Sequence, residues 1–160
     1  MLITKELTAA INEEIGLELF ASNQYIATAA FFDGLALKKL SAMFLKQADE
    51  ERAHALKFVK YVMETGGQLE IPAVKAPQAT FATVEEAIRV ALDWELEVTR
   101  RCNALMSLAI EQKDYIGQDF LRWFVTEQLE EVSTMENLLK VVKQAGERNL
   151  IMIEAYLSHA

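Results

Sequence analysis

Cysteine is almost absent: Cys102 is the only one among 160 residues. An intrachain disulfide and an all-cysteine metal knot are therefore excluded, and a reducing cytoplasm is the simplest setting. Proline and glycine are also scarce, at two and six residues. With abundant Ala, Leu, Glu, Met and Lys, that scarcity favours a mainly helical chain. No apolar run approaches the length of a membrane span; even "YIATAAFF" is short and leads into a charged turn. The start, "MLITKELTAA", lacks the basic and then apolar pattern of a signal segment. Basic residues are outnumbered 16 to 24, a net charge of −8, so general attraction to a nucleic-acid backbone is not expected. The length suits one domain, residues 1–160, with a substantial core.

What is present is helical periodicity. Leu7, Ile11, Ile15, Glu18, Ser22, Tyr25 and Ala29 recur at steps of three and four, one face of a helix over about 5–34. After "FDGLALKKL", a second helix over about 40–65 carries Phe44, Ala48, Glu51, Ala55, Phe58 and Val62, and Gly66 with Gly67 is expected to stop it through left-handed backbone angles. Pro72 and Pro77 then disfavour helix in a long connection. Thr83 and Glu86 match a capping box and open a third helix, about 83–112, with Ile88, Ala91, Glu95, Val98, Cys102, Leu105 and Ala109 on one stripe. A fourth, about 116–144, carries Phe120, Phe124, Gln128, Glu131, Met135, Leu138 and Val142, and a short fifth follows Gly146 at about 147–157. Two helical hairpins joined by one long link suit an all-α four-helix bundle whose middle helices are parallel, with a short C-terminal helix added. Met43, Met63, Met106 and Met135 are expected as core filling, and Trp94 and Trp123 as bundle packing.

Four carboxylates break this pattern. Glu18, Glu51, Glu95 and Glu131 each interrupt an apolar stripe near the middle of a long helix. Adding 77 to positions 18, 51 and 54 gives 95, 128 and 131, so both hairpins place polar side chains at equivalent depths. Glu51 and His54, at i and i+3, point to one region. Carboxylates packed together without a cation repel one another and lose their hydration. Together with one imidazole they form an oxygen-rich ligand set suited to Fe(II), Fe(III), Mn(II) or Zn(II).

At this constellation the sequence resembles the ferritins, most closely the bacterial non-haem ferritins, over essentially its whole length. The residues that carry the resemblance are Glu18, "EERAH" with Glu51 and His54, "WELE" with Glu95, and "TEQLEE" with Gln128 and Glu131; Tyr25 matches a tyrosine beside the family's iron centre. The resemblance implies a ferritin-like bundle with a di-iron ferroxidase centre inside each subunit. Glu18 and His54 would hold one iron, Glu95 and Glu131 the other, with Glu51 bridging. Gln128 would supply a neutral ligand or hydrogen bond, and Tyr25 a hydrogen bond or an electron. Glu50, Glu127 and Glu130 match acidic positions that form a third iron site in some bacterial ferritins. Arg52 stands where bacterioferritins have a haem-ligating methionine, so haem is not expected.

The same resemblance implies iron storage and detoxification: oxidation of Fe(II) by O2 or H2O2, with ferric mineral enclosed in a cytoplasmic homo-oligomeric shell of 24 subunits with octahedral symmetry. No nucleic-acid or membrane partner is expected. A twelve-subunit, DNA-protecting mini-ferritin fits less well because that group builds its site between subunits and lacks the fifth helix. A rubrerythrin-like peroxidase would need an iron domain held by four cysteines. A metal-independent helical scaffold would leave the matched polar interruptions unexplained.

Overall fold

The computed structural model describes all 160 residues as five helices without strands: α1 Lys5–Gly34, α2 Lys38–Glu64, α3 Val84–Glu111, α4 Tyr115–Ala145 and α5 Ile151–His159. None is long and apolar enough to cross a membrane. α1 pairs with α2 and α3 with α4, α1 joins the hairpins by packing on α3, and α5 lies against α2 and α4. Residues 65–83 form the crossover. This is an all-α four-helix bundle with a long crossover and a short fifth helix.

Every stripe residue named above on α1, α2 and α3 is buried; on α4 only Phe120 is half-exposed. The core divides into two parts. One end holds Tyr25, Phe32, Leu40, Phe44, Ile88 and Met135 among others. The other holds Leu7, Ile11, Ile15, Phe58, Val98, Leu121 and Phe124, with the Phe58 and Phe124 rings stacked at 4.0 Å. Between these two apolar ends lies the polar level of Glu18, Glu51, Glu95 and Glu131. Of the methionines, Met135 is buried and Met43 and Met106 are half-buried, but Met63 stands in solvent. Trp94 packs on Phe20, whereas Trp123 is 40% exposed, with the Lys57 ammonium over its ring.

Helix ends follow local chemistry with one exception. Thr4, Thr83 and Asp114 accept backbone N–H bonds at the starts of α1, α3 and α4. Glu86 completes its box one residue early, accepting from the Ala82 N–H. α2 begins at Lys38, two residues before the expected start, behind Leu37, which cannot cap it. Glu154 of α5 does so instead, accepting from the Lys39 and Leu40 N–H groups at 2.9 and 3.0 Å. A carboxylate there also meets the positive end of the helix dipole. α5 starts four residues later than the sequence suggests, because residues 146–150 form a turn that brings Ile153 into the core. At the end of α2 only Gly66 is left-handed, with φ +77°; at Gly67 a Cβ would meet Thr8 and Ile3 at about 3 Å, so close approach is what requires glycine.

The crossover buries a second side of α1. Asn12 donates to the Gln68 carbonyl at 2.9 Å, and Gln24 exchanges hydrogen bonds with the backbone N–H and carbonyl of Gln78. At Gly16 the Pro72 ring comes so close that a Cβ would lie 2.3 Å from its Cγ. In an open helix interior Gly→Ala stabilises by about 1 kcal/mol. Here the sign should reverse: Gly16→Ala is expected to destabilise by roughly 1–3 kcal/mol through overpacking. Thermal unfolding checks this, and an unchanged or raised midpoint would mean that the crossover does not seat on α1.

Candidate metal centre

The middle turns of the four long helices are apolar on both sides of the polar level, so each carboxylate there is sealed by its own stripe. Glu18, Glu51, Glu95, His54, Gln128 and Glu131 are all buried, Glu18 to 1% exposure. Three groups bring one ligand atom per residue within 4.8 Å of one another: Glu18–Glu51–His54, Glu51–Glu95–Glu131 and His54–Glu127–Glu131. Glu51 belongs to the first two and Glu131 to the last two. On α2 the i, i+3 spacing sets the His54 Nδ1 3.3 Å from Glu51 and 3.7 Å from Glu18.

The surroundings orient some of these oxygens and leave others without partners. Tyr25 OH donates to Glu95 Oε1. The Gln128 amide donates to Glu95 Oε2 at 3.1 Å and to the Glu95 carbonyl at 3.2 Å. Gln47, unmarked by the sequence reading although it lies four residues before Glu51 on the same face, donates to Glu131 Oε2 at 2.9 Å. Both oxygens of Glu18, Oε1 of Glu51 and Nδ1 of His54 have no hydrogen-bond partner. Buried groups of this kind are costly unless something pairs with them. A cation between Glu18, Glu51 and His54 would meet these lone pairs, and the donor set of carboxylates with one imidazole suits iron.

Proton affinities follow the same crowding. Burial, then the neighbouring carboxylates, pushes Glu18 and Glu51 well above the ordinary carboxylate range. Burial raises Glu95 too, against the hydrogen bonds of Tyr25 and Gln128, and lifts Glu131 to about 7 with help from Glu95. For His54 burial works downward, but the Glu51 carboxylate 3.3 Å from its Nδ1, with Glu131 and Glu127, leaves it raised. The Tyr25 phenol is held well above its usual value by burial and Glu95, so it is a donor at neutral pH.

The three outer carboxylates are placed differently. Glu127 is one-quarter exposed, and its Oε1 lies 4.0 Å from His54 Nε2, within the third group. Glu50 is half-exposed, 3.8 Å from Lys46, and reaches the centre as a charge felt by Glu131. Glu130 points into solvent and joins none of the three groups. Arg52 is exposed. Glu14 also escaped the sequence reading: it is buried one turn before Glu18, at i−4 on a helix whose apolar stripe bypasses it.

A four-helix bundle with a carboxylate–imidazole cluster sealed in its middle that could hold metal ions defines the class, and comparison with known proteins supplies the family. The ferritin-like domain model matches residues 8–145. Ferritin BfrB of Mycolicibacterium smegmatis is 40% identical over 150 residues, covering 94% of this chain and 82% of that protein. The bacterial non-heme ferritin of Staphylococcus aureus is 36% identical over 146 residues, covering 91% and 88%. The open pore ferritin of the hyperthermophilic archaeon Archaeoglobus fulgidus superposes with a TM-score of 0.94 at 30% identity, over 98% of this chain and 97% of that one. The chain belongs to the ferritin family.

The raised carboxylates set the sign of a pH effect on the iron-free fold. Glu131 and its neighbours bind protons more tightly folded than unfolded, so their contribution is fully present below pH 4.5 and is lost as pH rises through about 7. The raised His54 acts in the same direction. Iron-free protein should therefore melt at a higher temperature at pH 6 than at pH 8, and Glu131→Gln should flatten the difference. Adding Zn(II) at pH 8 should restore the lost stability. A midpoint that climbs from pH 6 to pH 8 without metal would contradict this.

Proposed function

We propose that the protein stores and detoxifies iron, oxidising Fe(II) to Fe(III) at a di-iron ferroxidase centre within the subunit and laying down ferric mineral inside a protein shell. The observation that carries this reading is that Glu51 is common to two buried ligand groups, Glu18–Glu51–His54 and Glu51–Glu95–Glu131. Two neighbouring substrate ions that share one carboxylate need such an arrangement. Glu18 and His54 hold one Fe(II), Glu95 and Glu131 the other, and Glu51 spans them. Several carboxylates around one ion favour Fe(III) over Fe(II), which drives the electron transfer outward. Each Fe(II) gives one electron. With O2 the pair of electrons and two protons yield H2O2; with H2O2 they yield two waters.

The polar neighbours have distinct tasks in this reading. Gln128 holds Glu95 from one side and Tyr25 from the other, so Glu95 keeps one orientation while ions come and go. Gln47 does the same for Glu131. Glu127, reached from His54, and the more exposed Glu50 and Glu130 lead product Fe(III) from the centre to the surface between α2 and α4, the third site of the acidic set. The negative charge of −8 attracts Fe(II) and suits a mineral-bearing surface.

Enclosure requires many copies. Large apolar side chains stay exposed on the single chain, including Leu129 at 76%, Tyr115, Ile116, Ile151 and Met152. Burial between subunits would cover them, and a closed homo-oligomer of 24 chains with octahedral symmetry is the assembly proposed. The setting proposed is the cytoplasm, with neither haem nor a nucleic-acid or membrane partner.

Anaerobic titration of iron-free protein with Fe(II) should reach at least two bound ions per chain before oxygen is admitted; absence of stoichiometric uptake would sink the reading. Glu51→Ala should abolish the fast oxidation phase while particle size stays that of the parent. Glu130→Ala should slow the later, multiple-turnover phase more than the first. Stopped-flow absorbance with light scattering reads all of these, and equal first-phase rates for the Glu51 variant and the parent would remove the bridging assignment.

A further inference from the structure

Glu14 has no task in the reaction described above, yet its burial demands one. It is 2% exposed, burial raises its carboxyl to about 7, and its Oε1 has no hydrogen-bond partner. Its one cationic neighbour is Arg101 of α3, whose Nε stands 3.9 Å from Glu14 Oε2, beyond hydrogen-bond reach. The same Nε is 3.9 Å from Glu97 Oε1, while Arg100 holds Glu97 through two hydrogen bonds of 2.8 and 2.6 Å. Arg101 thus lies between two carboxylates and is committed to neither.

Glu14 also faces a way in. A surface cavity of about 280 Å³ between α1 and α3 is lined by Glu13, Glu14, Arg100, Arg101, Leu105 and Leu108 among others. Along α1, Glu14 and Glu18 are i and i+4, so their side chains rise from one face roughly 6 Å apart. Glu18 carries two further unpartnered oxygens. The carboxylates therefore form two steps, one at the cavity wall and one in the metal centre.

We propose that Glu14 is a transit ligand, through which a divalent cation, Fe(II) in the reaction proposed above, passes from the α1–α3 cavity to Glu18. Arg101 occupies the step between cations. A cation arriving at Glu14 repels the guanidinium, and Glu97, already at equal distance, receives it on the exposed side. A purely structural Glu14–Arg101 tie between α1 and α3 would be expected to hydrogen-bond, and Gln at position 14 would avoid the cost of a buried charge.

The proposal rests on the ferroxidase reading for its Fe(II) readout, and a second metal separates the two. In Glu14→Gln, kcat/KM for Fe(II) oxidation should fall about tenfold, the order expected when a focusing charge is lost. Its kcat at saturating Fe(II) and its two-ion stoichiometry should stay those of the parent. Arg101→Gln, which removes the competing cation, should raise kcat/KM. Anaerobic Co(II) loading, followed by its visible absorption, should be slowed to a similar extent by Glu14→Gln and needs no oxidant. If the parent loads Co(II) but does not oxidise Fe(II), the ferroxidase reading fails and the Co(II) rates still decide on Glu14. Parent-like loading by Glu14→Gln overturns the proposal. So does a fall in kcat at unchanged KM, or equal slowing by Arg101→Gln, which would assign the effect to a broken ion pair.

Discussion

Carboxylates confined together in a low-dielectric layer dominate this molecule. Glu18, Glu51, Glu95 and Glu131 share the middle of the bundle with one imidazole, and the apolar core is divided into two ends on either side of them. Without a cation the layer resists ionisation: burial pushes all four upward, and repulsion from neighbouring carboxylates adds to it at Glu18, Glu51 and Glu131. With one, the same crowding becomes affinity. The destabilised layer and the candidate binding site are one feature, and the apolar ends supply the stability that allows it.

Rigid positioning comes from elements far apart in the chain. α2 carries Glu51 and His54, and its start is capped by Glu154 of α5 because Leu37 has no side-chain acceptor. α1 carries Glu18 and Tyr25, and the crossover holds its outer side through Asn12, Gly16 and Gln24. α3 carries Glu95, whose two oxygens are held from α1 by Tyr25 and from α4 by Gln128. Each ligand helix is therefore restrained by another part of the fold, and the ligands keep their places while unpaired oxygens remain available to a cation.

The inner and outer parts of the acidic set differ in exposure, and that difference has a chemical consequence. Inner groups are sealed and present desolvated charge, whereas Glu50 is half-exposed and Glu130 faces water. Glu127 lies between these extremes, near His54 yet partly open. In the proposed reaction, a gradient from sealed to solvated carboxylates would let an ion be held during oxidation and released afterwards. Trp123, edge-on to His54 at 5.4 Å and partly exposed, closes this side of the centre.

Much of this was legible before any coordinates. The four apolar stripes, the single long link and the matched polar interruptions follow from residue spacing, because a helix converts sequence intervals into faces. Glu18, Glu51, His54, Glu95, Gln128 and Glu131 announce themselves by breaking a stripe at equivalent depths. Glu14 and Gln47 each stand one turn before a marked glutamate, but beside Ile15 and Ala48, which carry the stripe, so the periodicity passes over them; α3 covers the one and α4 the other. Similarly, the start of α5 and the cap of α2 depend on each other across more than 110 residues, which local propensity does not encode. Sequence alone determined the bundle and the residues that converge at its centre, because both are set by repeats within single helices. Tertiary structure alone decided which carboxylate oxygens are held, which are left without partners, and where the cavity meets α1, because those depend on distances between helices.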